Sequence, residues 1–196
     1  PLFISRVSKK EGRIMNTNTN KDGFTAWVTN LGKYNEGEII DKAVNFPLAD
    51  EDEIKNILKE IGIGAEYEEY FIADYDAEFD TTDLGEYTPL SRLQEIGERY
   101  SELSDEERTV FNEISSETST LDEAFDIVED GNYIIYSDCD SMKDVAYQYV
   151  DNAGLLENIP TSVSNYFDYE KYGREMDIRG WYVDSKAFNG YISILN

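Results

Sequence analysis

The sequence predicts an α+β protein of three small segments: mixed α/β over 23–80, helical over 81–131, and mixed α+β over 132–196. A leader or flexible tail at 1–22 precedes them. Two observations carry this. Apolar residues alternate in short strand-like runs near both ends of the chain but recur at helical spacing between them. The 196 residues are 40% hydrophobic, with 15 Tyr, 9 Phe and 2 Trp, which is enough for real cores and too aromatic for a disordered acidic tail.

Residues 1–22 carry five basic and two acidic side chains, then turn Asn/Thr-rich. Lys10-Glu11-Gly12 can be encoded by a purine run resembling a bacterial ribosome-binding site just upstream of Met15. Residues 1–14 therefore read either as a translated leader before a native start at Met15 or as a genuine flexible tail. "FTAWVTN" (24–30) alternates as a strand, and "LGKYNEGE" supplies turn residues. "EIIDKAVNF" (38–46) is a second strand ended by Pro47. Ile54, Ile57, Leu58 and Ile61 then mark a helix over 49–62, with acids in its first turn and Gly62 as its stop. "EYFIADYD" (69–76) is a third strand.

In the middle, Thr88-Pro89 reads as an N-cap with proline at the first helical position, ahead of Leu90, Leu93, Ile96 and Tyr100. Ser104 with Glu107, and Thr120 with Glu123, match capping boxes before the stripes Val110/Phe111/Ile114 and Leu121/Phe125/Val128. Beyond Gly131, "NYIIYS" is a strand. "DSMKDVAYQYVDNAG" is a helix with Met142, Val145, Ala146 and Tyr149 inward and Gly154 just past its end. A Tyr-rich helical stretch (161–176) and two strands, "IRGWYVDS" and "YISIL", complete the chain. An apolar last strand at a sheet edge needs a cover, and a partner subunit would supply one.

The formal net charge is −25, and it is uneven. Residues 23–196 hold 12 basic and 40 acidic side chains, or −28. No Lys or Arg occurs between Glu60 and Ser91 or between Thr109 and Met142. Nucleic acids and anionic membranes both call for Lys and Arg, so this balance argues against either as a direct ligand. Apolar runs are too short for a transmembrane helix, and a single cysteine, Cys139, fits a reducing compartment, so a cytoplasmic protein is expected.

Histidine is absent, which removes His-based triads, His metal ligation and pH switching near neutrality. "GIGAEY" (62–67) lacks the third glycine of a dinucleotide fingerprint. Asp74, Asp76, Glu78 and Asp80 alternate like early calcium-loop ligands. Phe79, however, fills the glycine slot and Gly85 the final Glu slot. Asp138-x-Asp140 fails sooner, at Met142 and Lys143. Paired-carboxylate glycosidase chemistry has its residue types here, but with 42 acids nothing singles out a pair. No catalytic residue, metal or cofactor is expected.

Acids that merely solubilise, or a halophilic surface, would account for much of this composition. The pointed alternative is that the charge is itself the functional surface. "YEEYFIADYDAEFDTTDLGEY" (67–87) holds eight carboxylates and six aromatic rings with no cation. On a strand, alternate residues share a face at about 6.6–6.8 Å, so Asp74, Asp76, Glu78 and Asp80 form a ladder if the strand persists that far. Helical acids three or four apart share a face, as Glu113/Glu117 and Asp122/Asp126/Glu129 would. The expected surface further includes Asp50, Glu51, Asp52, Glu53, Glu66, Glu68, Glu69, Asp83 and Glu86. Glu123, Asp130, Asp138, Asp140 and Asp144 complete it. Doubled in a dimer, −28 is the charge on roughly 95 Å of DNA duplex. Two exposed charges 10 Å apart repel by about 0.4 kcal/mol in water, so tolerating dozens of such pairs suggests a use.

Four ordered blocks carry a resemblance: "TNLGKYNEGEII" (29–40), "YEEYFIADYD" (67–76), "IIYSDCDSMKDVAYQYVDNAG" (134–154) and "IPTSVSNYFDYEKYGREMDIRGWYVDS" (159–185). Together they resemble the ArdA antirestriction family from about Thr25 to the C-terminus. The resemblance implies a DNA mimic, commonly carried on conjugative plasmids and transposons, that occupies the DNA groove of type I restriction–modification enzymes. It implies an elongated, curved chain of three small domains dimerising through the C-terminal one, and no enzymatic activity. The family's antirestriction motif corresponds to Asn165, Tyr166, Phe167, Asp168, Tyr169, Tyr172, Gly173 and Arg174, which by themselves read as an aromatic packing element. The competing class is an acidic module that sequesters another basic DNA-binding protein, nucleoid or histone-like.

Overall fold

A computed structural model describes residues 22–50 and 52–195. The 1–14 reading and Glu51 fall outside them. Among the described residues the chain is mixed α+β, with eight helices and two three-stranded antiparallel sheets.

The first sheet has the order β2 (Asp41–Phe46), β1 (Phe24–Asn30), β3 (Tyr70–Asp76). Phe24, Ala26 and Val28 point inward at strand period, as do Val44 and Phe46 opposite them. The pairing of β1 with β3 shifts between Trp27 and Val28, so Ala73 is an extra, bulged residue. Two details differ from expectation. "LGKYN" is not a turn but a one-turn helix, α1 (Leu31–Asn35). Buried Asn30 explains it: its Oδ1 accepts from Lys33 N at 2.9 Å while its Nδ2 donates to Ile61 O at 2.9 Å. This ties the start of α1 to the end of α2 (Asp52–Glu60). The second strand begins at Asp41, three residues later than its apolar pattern.

The helical segment comprises α3 (Leu90–Glu102), α4 (Asp105–Ile114) and α5 (Leu121–Glu129). Ser104 and Glu107 form the full capping box. At α5 only half the box forms, because Glu123 accepts from Ser119 N rather than from the cap residue. Thr88 does not cap α3. Its hydroxyl bonds with Gly85, and the free N–H of Leu90 donates to the Tyr70 hydroxyl at 3.2 Å instead. Gly97 lets α3 lie on the end of β2, since a Cβ there would stand 2.7 Å from Pro47 N. Phe24, Phe79, Tyr100, Phe111 and Phe125 stack in a relay of centroid spacings from 4.2 to 5.7 Å between the sheet and the helices.

The last segment contains β4 (Tyr133–Tyr136), α6 (Met142–Asn152), α7 (Thr161–Ser164), α8 (Tyr169–Arg179), β5 (Trp181–Ser185) and β6 (Gly190–Ile194). Its strand order is β4-β6-β5. The terminal strand β6 is thus central and paired on both sides, which corrects the expectation of an apolar edge awaiting a subunit. On α6, Val150 is buried while Tyr149 lies at the surface, a reversal of the inward Tyr149. Val183, Ile192 and Ile194 belong to the same apolar cluster as the first sheet and α3–α5. A second, smaller cluster gathers around Tyr136, Cys139 and Val145.

Candidate functional site

None of the described carboxylates is buried. Of the expected acidic surface, Glu53, Asp80, Glu113, Glu123 and Asp144 are half-buried and the other described members are exposed. Exposure alone does not make a field, because some carboxylates meet cations and others do not. This separates two regions.

On α5 the acids are engaged. Arg92 and Arg99, one helical face of α3 apart, reach across to it. Arg92 Nη2 lies 2.7 Å from Asp122 Oδ2. Arg99 touches Asp122, Asp126 and Glu129 at 3.0, 3.0 and 2.8 Å. The Arg99 guanidinium also sits 4.4 Å from the centroid of Phe125. Hydrogen bonds to Glu129, and next to Asp126, outweigh the desolvation of Arg99 and raise its pKa further above the usual arginine range. The expected free acidic face Asp122/Asp126/Glu129 is therefore largely neutralised. The cations lie outside the basic-free window in sequence and beside it in space.

From Glu66 to Glu86 the acids are open. Glu66, Glu68, Glu69, Asp74, Asp76 and Glu86 are exposed and have no Lys or Arg within ion-pair distance among the described residues. β3 is an edge strand of its sheet, and the turn around Glu86 meets its outer side, where Ile72 N donates to Glu86 O at 2.7 Å. The strand stops at Asp76, and Phe79 turns into the core. The ladder is thus carried by Asp74 and Asp76, with Glu78 continuing it on irregular backbone and bound by Asn112 Nδ2. Asp80 instead closes a local turn: Thr82 bonds its carboxylate and holds it below the usual range. Asp83 accepts from Leu121 N and serves the start of α5. At the other end of the stretch, the Tyr67 hydroxyl donates to both oxygens of Glu36 at 3.0 Å. Tyr67, and secondarily Lys33, keep Glu36 below its ordinary pKa.

The remaining members are dispersed. Asp50 and Asp52 lie at the start of α2, Asp52 beside Lys55. Glu53 is on its first turn. Glu113 accepts from Ala187 N, and Glu117 is exposed after α4. Glu123 lies in the first turn of α5 and Asp130 is its C-cap. Asp138 and Asp140 stand in the β4–α6 connection, and Asp144 accepts from Ser141.

In the C-terminal segment, Asn165 follows α7, and Tyr166 is 87% exposed. Asp168 caps α8, accepting from Lys171 N at 2.9 Å. Phe167, Tyr169 and Tyr172 pack together and onto Tyr147 and Tyr149 of α6, with centroids 4.8–6.4 Å apart. Gly173 is buried where a Cβ would overlap the Met142 carbonyl, so glycine sets how closely α8 meets α6. Arg174 is exposed and makes no ion pair among the described residues. The stretch has an aromatic packing role, with Tyr166 and Arg174 projecting outward.

Among the described residues no group of three or more Cys, Asp or Glu converges to hold a metal ion. No described helix is long and apolar enough to cross a membrane. The family model for antirestriction protein (ArdA) matches residues 26–192. The chain belongs to the ArdA family. Comparison with curated proteins returned no match. The ArdA match takes in both acidic regions and the whole of the α8 packing element, and it assigns the chain an antirestriction function.

Sequence reasoning missed Arg92 and Arg99 as organisers of α5. Their signal was present: seven residues apart, they share one polar stripe of α3. What they face could not be read without the fold.

Proposed function

We propose that this protein inhibits type I restriction–modification enzymes by presenting its anionic surface where the enzyme would hold DNA. The observation that supports it is the Glu66–Glu86 stretch, which leads into, follows and leaves the strand β3 with six exposed carboxylates that no described cation neutralises. A DNA groove is lined with Lys and Arg and holds counter-anions. An acidic surface displaces those ions as phosphates do, and needs no base-specific contact. Inhibition should span enzymes of different recognition sequence and weaken as salt rises.

In this reading the three segments 23–80, 81–131 and 132–196 act as three small domains of an elongated cytoplasmic homodimer joined through the C-terminal one. The protein is no enzyme and binds neither nucleic acid nor membrane, and it travels with mobile genetic elements such as conjugative transposons. The motif Asn165–Arg174 supports the C-terminal packing that the dimer needs. The acidic array does the mimicry, with Asp122, Asp126 and Glu129 in a structural share of it.

The test is to titrate purified protein into a type I restriction enzyme bound to labelled DNA. Near-stoichiometric, competitive release of DNA is expected. DNA that stays bound at excess protein overturns the proposal. Retention of abundant nucleoid proteins from extract, with no effect on the restriction enzyme, would favour sequestration of another basic partner.

A further inference from the structure

Between α5 and the second sheet lies a groove of about 360 Å³. Its α5 wall carries Asp122, Glu123, Asp126, Ile127 and Asp130. Trp181, Ile194 and Leu195 supply most of its apolar surface. Leu195 is 43% exposed and Trp181 is half-buried, so apolar surface is open to solvent in this groove. Arg92 and Arg99 already hold two of these acids, Asp122 and Asp126. Neither forms an ion pair with Glu123 or Asp130. The Asp130 carboxylate has no hydrogen bond or ion pair among the described residues, and Glu123 takes only the Ser119 N–H at 2.8 Å.

We infer that this groove takes an arginine side chain from the protein's partner. Apolar floor and anionic rim select for a side chain that is apolar along its stem and cationic at its tip. The planar guanidinium stacks on an indole face and pairs with a carboxylate at once, which an ammonium does less well. A purely aliphatic group would leave Asp130 desolvated without a counter-charge. A second copy, with 42 acids against 17 basic residues, is a poorer source of that cation than a DNA-binding partner, and the dimer proposed above would use another face. The inference rests on the proposed function for the identity of the partner but adds a contact that phosphate mimicry does not require. DNA has no indole, so this arginine is held partly by a contact that salt screens poorly.

The chain contains two tryptophans, Trp27 and Trp181, whose indole N–H resonances report on separate regions of a nitrogen–proton spectrum. Trp181→Phe assigns them. The full chain is titrated with a blocked Gly-Arg-Gly peptide, and in parallel with its lysine and norleucine counterparts. A saturable shift of the Trp181 signal alone is expected with arginine, weakened at least about threefold in Asp130→Asn, an exposed site whose change leaves the fold intact. Equal movement of Trp27, no movement of Trp181, an unchanged response in Asp130→Asn, or an equal response to lysine or norleucine overturns the inference. So does a Trp181 shift on diluting the protein alone, which would identify a second copy as the occupant. In the DNA-release assay, Asp130→Asn and Trp181→Phe should each need at least about threefold more protein. Wild-type potency in both overturns the partner contact even if the peptide binds. If the wild-type protein releases no DNA, the proposed function fails while the peptide titration still decides the chemistry of the groove.

Discussion

Residues 66–86 and residues 122–129 are both runs of acid without a single local cation, yet they occupy opposite electrostatic situations. Around α5, Arg92 and Arg99 arrive from α3 and turn Asp122, Asp126 and Glu129 into an interhelical clamp. Along β3 no described cation arrives, and Glu66, Glu68, Glu69, Asp74 and Asp76 project their charge outward. Charge density along a chain therefore does not measure the field a partner meets. The field is what remains after tertiary neighbours have been paired off.

This contrast can be broken by changing each region alone. The largest effect is expected from neutralising Glu66, Glu68, Glu69, Asp74 and Asp76 together to their amides. Inhibitory potency should fall by about a hundredfold, equivalent to ~2.7 kcal/mol, while the melting temperature stays level or rises as repulsion is relieved. One such change alone should cost about two- to threefold, because the contribution is distributed. If a single neutralisation abolishes inhibition, the mimic picture is wrong.

Arg99→Ala should do the converse. It removes contacts to three carboxylates and a cation over Phe125, lowering stability by about 2 kcal/mol in a thermal or urea melt, with potency nearly unchanged. A variant that melts like the wild type would remove the clamp from the account. Salt sharpens the comparison further. Between about 50 and 300 mM, screening should stabilise the wild type by about 0.5 kcal/mol, and stabilise the five-site variant less, since it has less repulsion to screen.

The smallest effect lies at Asp80. Thr82 lowers its folded pKa below the ordinary Asp value of about 3.9, so its contribution is present above that pH and is lost as pH falls through the folded value. Because the Asp80 carboxylate is still reached by water and its partner is a neutral turn, the effect should amount to a few tenths of a kcal/mol at most. Acid melts of the wild type and of Asp80→Asn, which keeps an acceptor but does not titrate, should differ only in that window. Parallel curves throughout would show that the Thr82 turn carries no linkage.

Local signals were read well from the sequence where a short-range bond encodes them. The Ser104–Glu107 box and the position of Gly154 beyond α6, at φ 61°, depend on groups three or four residues apart. Thr88 was misread because a cap competes with a turn, and Gly85 took its hydroxyl while Tyr70 came from another element to serve Leu90. The C-terminal strand was misread for a similar reason. An apolar strand at the end of a chain looks like an edge, but β6 inserts between β4 and β5. Of the candidate surface, the inventory of acids was legible. Which of them stay uncompensated was not.

By itself the sequence determined the chemistry available to this protein: anionic, without histidine, with aromatic cores and helix starts written in capping residues. It also carried its family membership in four ordered blocks. The tertiary structure alone decided which carboxylates meet an arginine, where β6 lies in its sheet, and that Trp181 and Asp130 share a groove. Those outcomes depend on pairs of residues far apart in the chain, and electrostatic energy is set by distance in space.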